Sequence, residues 1–381
     1  VDELTKVADL LTAEHPPTRQ KIDQGRRRLI NEAARARSWH PRRSAPSPAR
    51  PSRWRLALVS MTTVLAMGAG GWGFYAWQTR PLYHPEPLAG QTGPASSFLL
   101  AAADGKARHA TSGRHWYLRM INGQSVSVRS PIRPGVRYTV ETRLPTYQLA
   151  QDVGSRVARP PSYSWDGDEV TVRPASRADE IAWIADGRPD AQTLDVDAPA
   201  TQRGPEPEEG GYFDIGTADA RRLPANPSEL RAWILNYATK FDHRKLENPD
   251  AYLFVYAPLL LAELPVSDHV RIATYKIMAS LKGVRMVTAT DPTGKPGKAV
   301  SMRQTTRELG TIDWQLFIDP STGRLTSSQA VIVAPGAKNG DLRVGTRQFF
   351  QVVEKAEWSD AAAKTLLPES IWNKNWEPPI D

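Results

Sequence analysis

Hydrophobic positions follow three different patterns along this chain. From Leu56 to Trp77, 22 consecutive residues carry no charge. A helix of about 20 such residues crosses the roughly 30 Å hydrocarbon core of a bilayer, so the run predicts a transmembrane helix over 56–77. Trp72, Phe74, Tyr75 and Trp77 at its end, and Trp54 ahead of it, fit the aromatic belts of the two interfaces. Before the run, helical spacing links Leu4, Val7, Ala8 and Leu11, is broken at Pro16-Pro17, and resumes as the stripe Ile22, Leu29, Ile30 and Ala33. Residues 38–53, SWHPRRSAPSPARPSR, have no apolar period and read as a linker.

Beyond the run, Pro81 to Ala95 reads as a spacer, and strand patterns follow. Trp116 to Ile121 runs into Asn122-Gly123, a strong two-residue hairpin signal, and continues as Gln124 to Val128. Val136 to Leu144 predicts a further strand. Ser162 to Trp165 and Glu169 to Arg173 predict a second hairpin about Asp166-Gly167. Residues 198–211 have the composition of a surface loop. A helical block comes next. Leu230, Trp233, Ile234, Tyr237, Ala238 and Phe241 share one face, behind an Asn226-Pro227 start with Glu229 in the first turn. A second helix begins near Asn248-Pro249, and a third at Ser267, ending at Gly283. Strands then return at 284–290, 298–307, 311–318, 325–333 and 349–358, with Ile312, Trp314, Leu316 and Ile318 on one face of the third. An antiparallel meander interrupted by helices predicts an α+β fold.

Charge gives this layout a direction. Residues 1–55 hold 13 Lys plus Arg against 6 Asp plus Glu, so nearly all of the +8 excess precedes the apolar run. Arg42, Arg43, Arg50, Arg53 and Arg55 crowd its start. The positive-inside rule therefore predicts a cytoplasmic N-terminus and an exported C-terminal part. The run begins too deep to be a cleaved signal, and a retained signal-anchor is expected. The expected organisation is a cytoplasmic helical arm (1–37), a basic linker (38–55), the span (56–77), a spacer (78–95) and an extracytoplasmic domain (96–381). Attraction to anionic headgroups accounts for the basic flank without nucleic acid. Cysteine is absent, which removes disulfides and Cys-based zinc sites.

Catalytic signatures are missing. There is no G-x-S-x-G elbow. Gly294-Lys295-Pro296-Gly297-Lys298 has the composition of a phosphate loop without its spacing, and reads as a hairpin loop. Asp319 to Gly323 resembles the start of a calcium loop, but Ala330 occupies the position of the bidentate Glu, so a turn is expected. His109 and His115 lack ligand spacing and read as surface or capping residues. Asp186, Asp190, Asp195 and Asp197 read as a solvated acidic loop. The 12 Trp residues include Trp116, Trp165, Trp183, Trp233, Trp314 and Trp358 on predicted elements, where they serve as core or line an apolar concavity. No cofactor and no metal are expected.

Three segments carry a resemblance: PPTRQKIDQGRRRLINEA near the N-terminus, LLAELPVSDHVRIATYKIMASLKGVRMVTATDPTGKPGKAVSM over Leu260 to Met302, and WQLFIDPSTGRLTSSQAVIV after it. In these the chain resembles a family of actinobacterial single-pass membrane proteins often encoded beside extracytoplasmic-function sigma factors. Its exported part is also similar in layout to the half-barrel of lipoprotein carriers, a curved antiparallel sheet with helices. The resemblance implies a sigma factor as cytoplasmic partner and assigns no catalytic residues. It departs from zinc-type anti-sigma factors, whose His and Cys ligands this chain lacks. Two expectations follow. In the first, the chain is a membrane-anchored regulator whose arm docks a cytoplasmic partner through Ile22, Leu29, Ile30 and Ala33. In the second, the anchor is inert and the exported domain carries a lipid or other apolar ligand. No catalysis is expected in either.

Overall fold

The computed structural model describes residues 81–151, 162–166, 170–196, 220–239 and 245–366. All of them belong to the unit Ala57–Asp381; the other unit of the chain, Val1–Leu56, lies outside them. So do the apolar run over 56–77, the loop over 198–211, and Trp372 and Trp376. Among the described residues, no helix is long and apolar enough to cross a membrane.

The architecture is α+β, a curved antiparallel sheet with helices packed on one face. Its strands are β1 (His115–Arg129), β2 (Arg137–Gln151), β3 (Ser162–Asp166), β4 (Thr171–Pro174), β5 (Arg285–Thr290), β6 (Pro296–Thr306), β7 (Gly310–Asp319), β8 (Arg324–Ala334) and β9 (Arg347–Ser359). The order across the sheet is β3-β2-β1-β9-β8-β7-β6-β5, with β4 also on β2. The last long strand, β9, thus lies in the middle, between β1 and β8. Register shifts at Arg119/Met120, Thr311/Ile312, Phe317/Ile318 and Ala330/Val331 bend the sheet, because a bulge adds local twist.

Two expected hairpins are corrected. β1 runs straight through Asn122-Gly123, and the turn into β2 comes at 130–136. Gly123 is needed for space rather than for a turn: a Cβ there would lie 2.0 Å from the Phe350 ring on β9. β3 and β4 both pair with β2 and not with each other, as two pieces of one edge. They flank the part of β2 that contains Pro145, which has no N–H to offer an edge partner.

The helices are α1 (Pro94–Arg108), α2 (Arg177–Ala185), α3 (Pro227–Ala238), α4 (Pro249–Pro258), α5 (Asp268–Ser280) and the short α6 (Ala363–Leu366). α1 occupies the end of the expected spacer. It packs against α5, and its Gly105 lies on the β7–β8 turn, where a Cβ would come within 2.4 Å of the Pro320 carbonyl. The three predicted starts hold: Asn226 accepts from the Ser228 and Glu229 amides, Asn248 from the Ala251 amide, and Ser267 from the Val270 amide. Pro258 removes one helical donor at the end of α4. The chain then widens into a π turn over Leu259–Glu263, closed by the Leu264 amide on the Leu259 carbonyl.

The main core lies between these helices and one face of the sheet. Leu118, Met120, Met302, Ile312, Trp314, Leu316, Ile332 and Val353 meet Leu99, Leu230, Ile234, Phe254, Leu260 and Ile277. Trp116, Trp314 and Trp358 are buried, as core placement requires, and Trp183 and Trp233 are partly buried. Arg271 is the most deeply buried charge here, beside the buried Asp268 and Glu263. Arg271 donates to the carbonyls of Leu261, Leu264 and Val266 and to Asp268, and its guanidinium lies 4.1 Å from the Trp116 ring centroid. It thereby satisfies the carbonyls left free where the π turn ends. Burial pushes its pKa down to about 10, against the support of Asp268, so it stays charged at neutral pH.

Candidate functional site

The opposite face of the sheet differs in kind. Arg143, Gly123, Phe350, Gln329, Gln315 and Ser301 stand in one row across β2, β1, β9, β8, β7 and β6. In a flat sheet such a polar row would be solvated. Here the curvature brings the β5–β6 hairpin over it. Arg143 Nη2 donates to the Pro292 carbonyl, and Gln329 Nε2 donates to the Thr290 carbonyl at 3.1 Å. Residues near opposite ends of the strand order are joined in this way. The row is consequently buried, with Arg143 8% exposed, Gln329 4% and Ser301 0%.

The hairpin tip is held by its own bonds. Asp291 Oδ1 accepts from the Thr293 amide and hydroxyl and from the Lys295 amide. Burial raises the Asp291 pKa, but these bonds outweigh it and the net direction is downward. The expected hairpin is thus present, with its loop over 291–295 and Pro296, Gly297 and Lys298 already in β6, and its position over the sheet is the new feature.

Charge collects beside the row. Glu141, the neighbour of Arg143 on the same face of β2, accepts from Arg347 Nη1 at 3.0 Å and lies 3.6 Å from Arg143 Nη2. Arg173 on the edge strand pairs in register with Glu141. Two guanidiniums therefore flank one carboxylate, with Arg173 on the neighbouring strand beside them. Burial lowers the Arg143 pKa, Arg173 lowers it further, Glu141 offsets this, and Arg347 adds to the depression. The guanidiniums of Arg143 and Arg347 lie 5.0 and 6.0 Å from the Phe350 ring centroid.

Five buried atoms on this face have no hydrogen-bond partner among the described residues: Ser125 Oγ, Arg143 Nε, Ser301 Oγ, Ser327 Oγ and Gln329 Oε1. Gln315 Oε1, next to them, accepts from Gln329 Nε2 at 2.7 Å. A buried polar atom left unpaired costs about 1–3 kcal/mol. A concentration of such atoms beside an excess of positive charge suits the capture of a polar group. Among the described residues, no cluster of three His, Cys, Asp or Glu could hold a metal ion.

The expected partner-binding residues Ile22, Leu29, Ile30 and Ala33 lie outside the described residues. His109 is exposed and bonds the Gly105 carbonyl at the end of α1, as a cap does, whereas His115 is buried in β1 and bonds the Ala361 carbonyl. The acidic cluster is corrected in part. Asp186 is buried and pairs with Arg133 at 2.6 Å, because the turn over 130–136 folds against the end of α2. Asp190 is exposed and caps the Thr193 amide. Asp319 forms the expected turn, accepting from Ser321 and Thr322. The polar row was missed. Its alternation along β7 and β8 is that of any strand with one wet face, and only the path of the hairpin makes it interior.

No protein-family model and no curated protein matches the chain. Among solved structures, one of the Pseudomonas aeruginosa MucA/MucB complex is similar at 12% identity, over 75% of this chain and 67% of that chain, with a TM-score of 0.21. Another, of MucB in complex with MucA(peri), gives 13% identity, 75% and 66% coverage and a TM-score of 0.22. At this level the likeness carries no argument about fold or function.

Proposed function

We propose that this protein is a membrane-anchored sensory or regulatory protein, whose domain beyond the span binds a polar ligand on the sheet face beneath the β5–β6 hairpin. The observation that carries this reading is the set of buried, unpartnered polar atoms gathered on that one face. A ligand that bonded them would favour the folded domain, and its contacts would extend to the hairpin that covers the row. The anchor and the outward orientation rest on the uncharged run over 56–77 and the arginines before it. The arm's stripe of Ile22, Leu29, Ile30 and Ala33 would dock a cytoplasmic partner, with a sigma factor expected from the family resemblance. The carrier reading has less support, since the apolar side chains on one face of the sheet are buried against the helices, and Phe317, Phe350 and Val352 on the other face are buried as well.

The test is mass spectrometry of small molecules retained by the full chain, purified in neutral detergent, for wild type and for Gln329→Leu. Retention of a polar compound by wild type alone is expected. Retention of nothing, or of the same compound by both, would overturn the ligand reading. Separately, a reporter fused after Asp381 should be active only outside the cytoplasm, and Ile30→Asp should abolish recovery of a partner by the arm.

A further inference from the structure

The ligand's chemistry can be narrowed, on the reading just given, from the state of one side chain. Arg143 is buried on β2 with its donors unevenly used. Nη2 is held by the Pro292 carbonyl of the hairpin tip, while Nε beside it has no partner. Nε–H and one Nη2–H form the side-on fork with which a guanidinium grips two oxygens of a carboxylate or phosphate. A carbonyl has one oxygen and satisfies half of that fork. Among the described residues, the carboxylate in contact with Arg143 is Glu141, which is shared with Arg347 and sits farther from Arg143 than the Pro292 carbonyl does. Arg173 adds a third positive charge.

We infer that the site takes an oxyanion, a carboxylate or phosphate group, which displaces the Pro292 carbonyl from Arg143 and so releases the hairpin tip. The hydroxyls of Ser301 and Ser327 and the free oxygen of Gln329 lie on the same face and can bond the remainder of the ligand. Binding and hairpin movement are then one event, because the ligand and the tip compete for the same donor. The tip moves as a unit, since Asp291 holds it together independently of Arg143.

The chain has no cysteine, so Lys295→Cys gives a single attachment point for a nitroxide on an exposed residue of the tip. The labelled full chain in neutral detergent is titrated with inorganic phosphate, with acetate, and with lipid vesicles whose headgroups are phosphatidylglycerol or phosphatidylcholine. Saturable mobilisation of the label by an oxyanion is expected. A response to phosphate or acetate marks a free ligand, and a response to phosphatidylglycerol alone marks a headgroup. Arg143→Lys, which keeps the charge and loses the fork, should weaken the response at least tenfold. Arg347→Gln, at a half-buried position, should weaken it less, and it serves if Arg143→Lys unfolds. No response to any oxyanion, or an unchanged response in both variants, overturns the inference. If a neutral compound is still retained by the wild-type chain in that case, the polar-ligand reading survives and only the oxyanion assignment falls.

Discussion

The two faces of this sheet are built from the same strands and do opposite things with burial. On the helix-covered face, apolar side chains fill the space, and the one buried guanidinium, Arg271, has a partner for each of its three nitrogens. On the hairpin-covered face, Arg143 is nearly as deeply buried but has a nitrogen to spare, and serine and glutamine stand where a core would place leucine. Complete satisfaction makes a polar group a structural fixture. Incomplete satisfaction leaves free energy for something else to collect, and this difference separates scaffold from site.

The sharpest way to break the comparison is at Arg271. Arg271→Ala strips Asp268 of a buried partner and three carbonyls of their donor, and should cost about 3–5 kcal/mol in equilibrium unfolding. Trp314→Ala, on the helix side of β7, should cost about 3–5 kcal/mol, the range for a buried aromatic, with the indole's hydrogen bond to Gln304 lost as well. On the other face the sign should reverse. Ser301→Ala and Ser327→Ala each remove an unpaired hydroxyl and should stabilise the ligand-free protein by about 1 kcal/mol. A loss as large as that of Trp314→Ala would mean that these serines are scaffold, and the distinction would fail.

The smallest effect concerns acid. Ser321 holds the Asp319 carboxylate below its ordinary pKa, opposed by burial and helped by Thr322. A carboxylate with a lowered folded pKa stabilises above its unfolded value, about 4, and that contribution fades as the pH falls through the folded value. Asp319→Asn should therefore flatten the acid limb of the stability curve, by under about 1 kcal/mol for a partly exposed group. The limb would be unchanged if the turn drew nothing from the charge.

What could be read in the sequence was what local chemistry decides. Asn226, Asn248 and Ser267 announce their helices because a cap is a contact within four residues. Ile312, Trp314, Leu316 and Ile318 announce a strand because the pleat sets their period. α1 was hidden, since Pro94 and Gly105 punctuate it and, of its buried apolar positions, only Leu99 is large, the others being alanines. Asn122-Gly123 misled because a glycine that makes room for Phe350 looks the same as one that makes a turn. The polar row was illegible for a deeper reason: β7 and β8 carry the same alternation whether water or the β5–β6 hairpin covers them, and the difference lies in the bend of the sheet, set by register shifts that depend on how each strand pairs with its neighbours.

The position of β9 sets a timetable. His115 reaches the carbonyl of Ala361, 246 residues further on, and Trp116 waits for Trp358. The hairpin β1–β2 and the meander β5–β8 are each local and can form as soon as they are made, but they remain two separate sheets until β9 arrives between them. The loop to be closed is long, which makes the joining step slow compared with the assembly of either half. Until then both halves present unpaired edges, the condition under which chains find each other instead of themselves. The chain spends that interval unfinished, so its yield should depend on whatever protects it then more than on the stability of the finished fold.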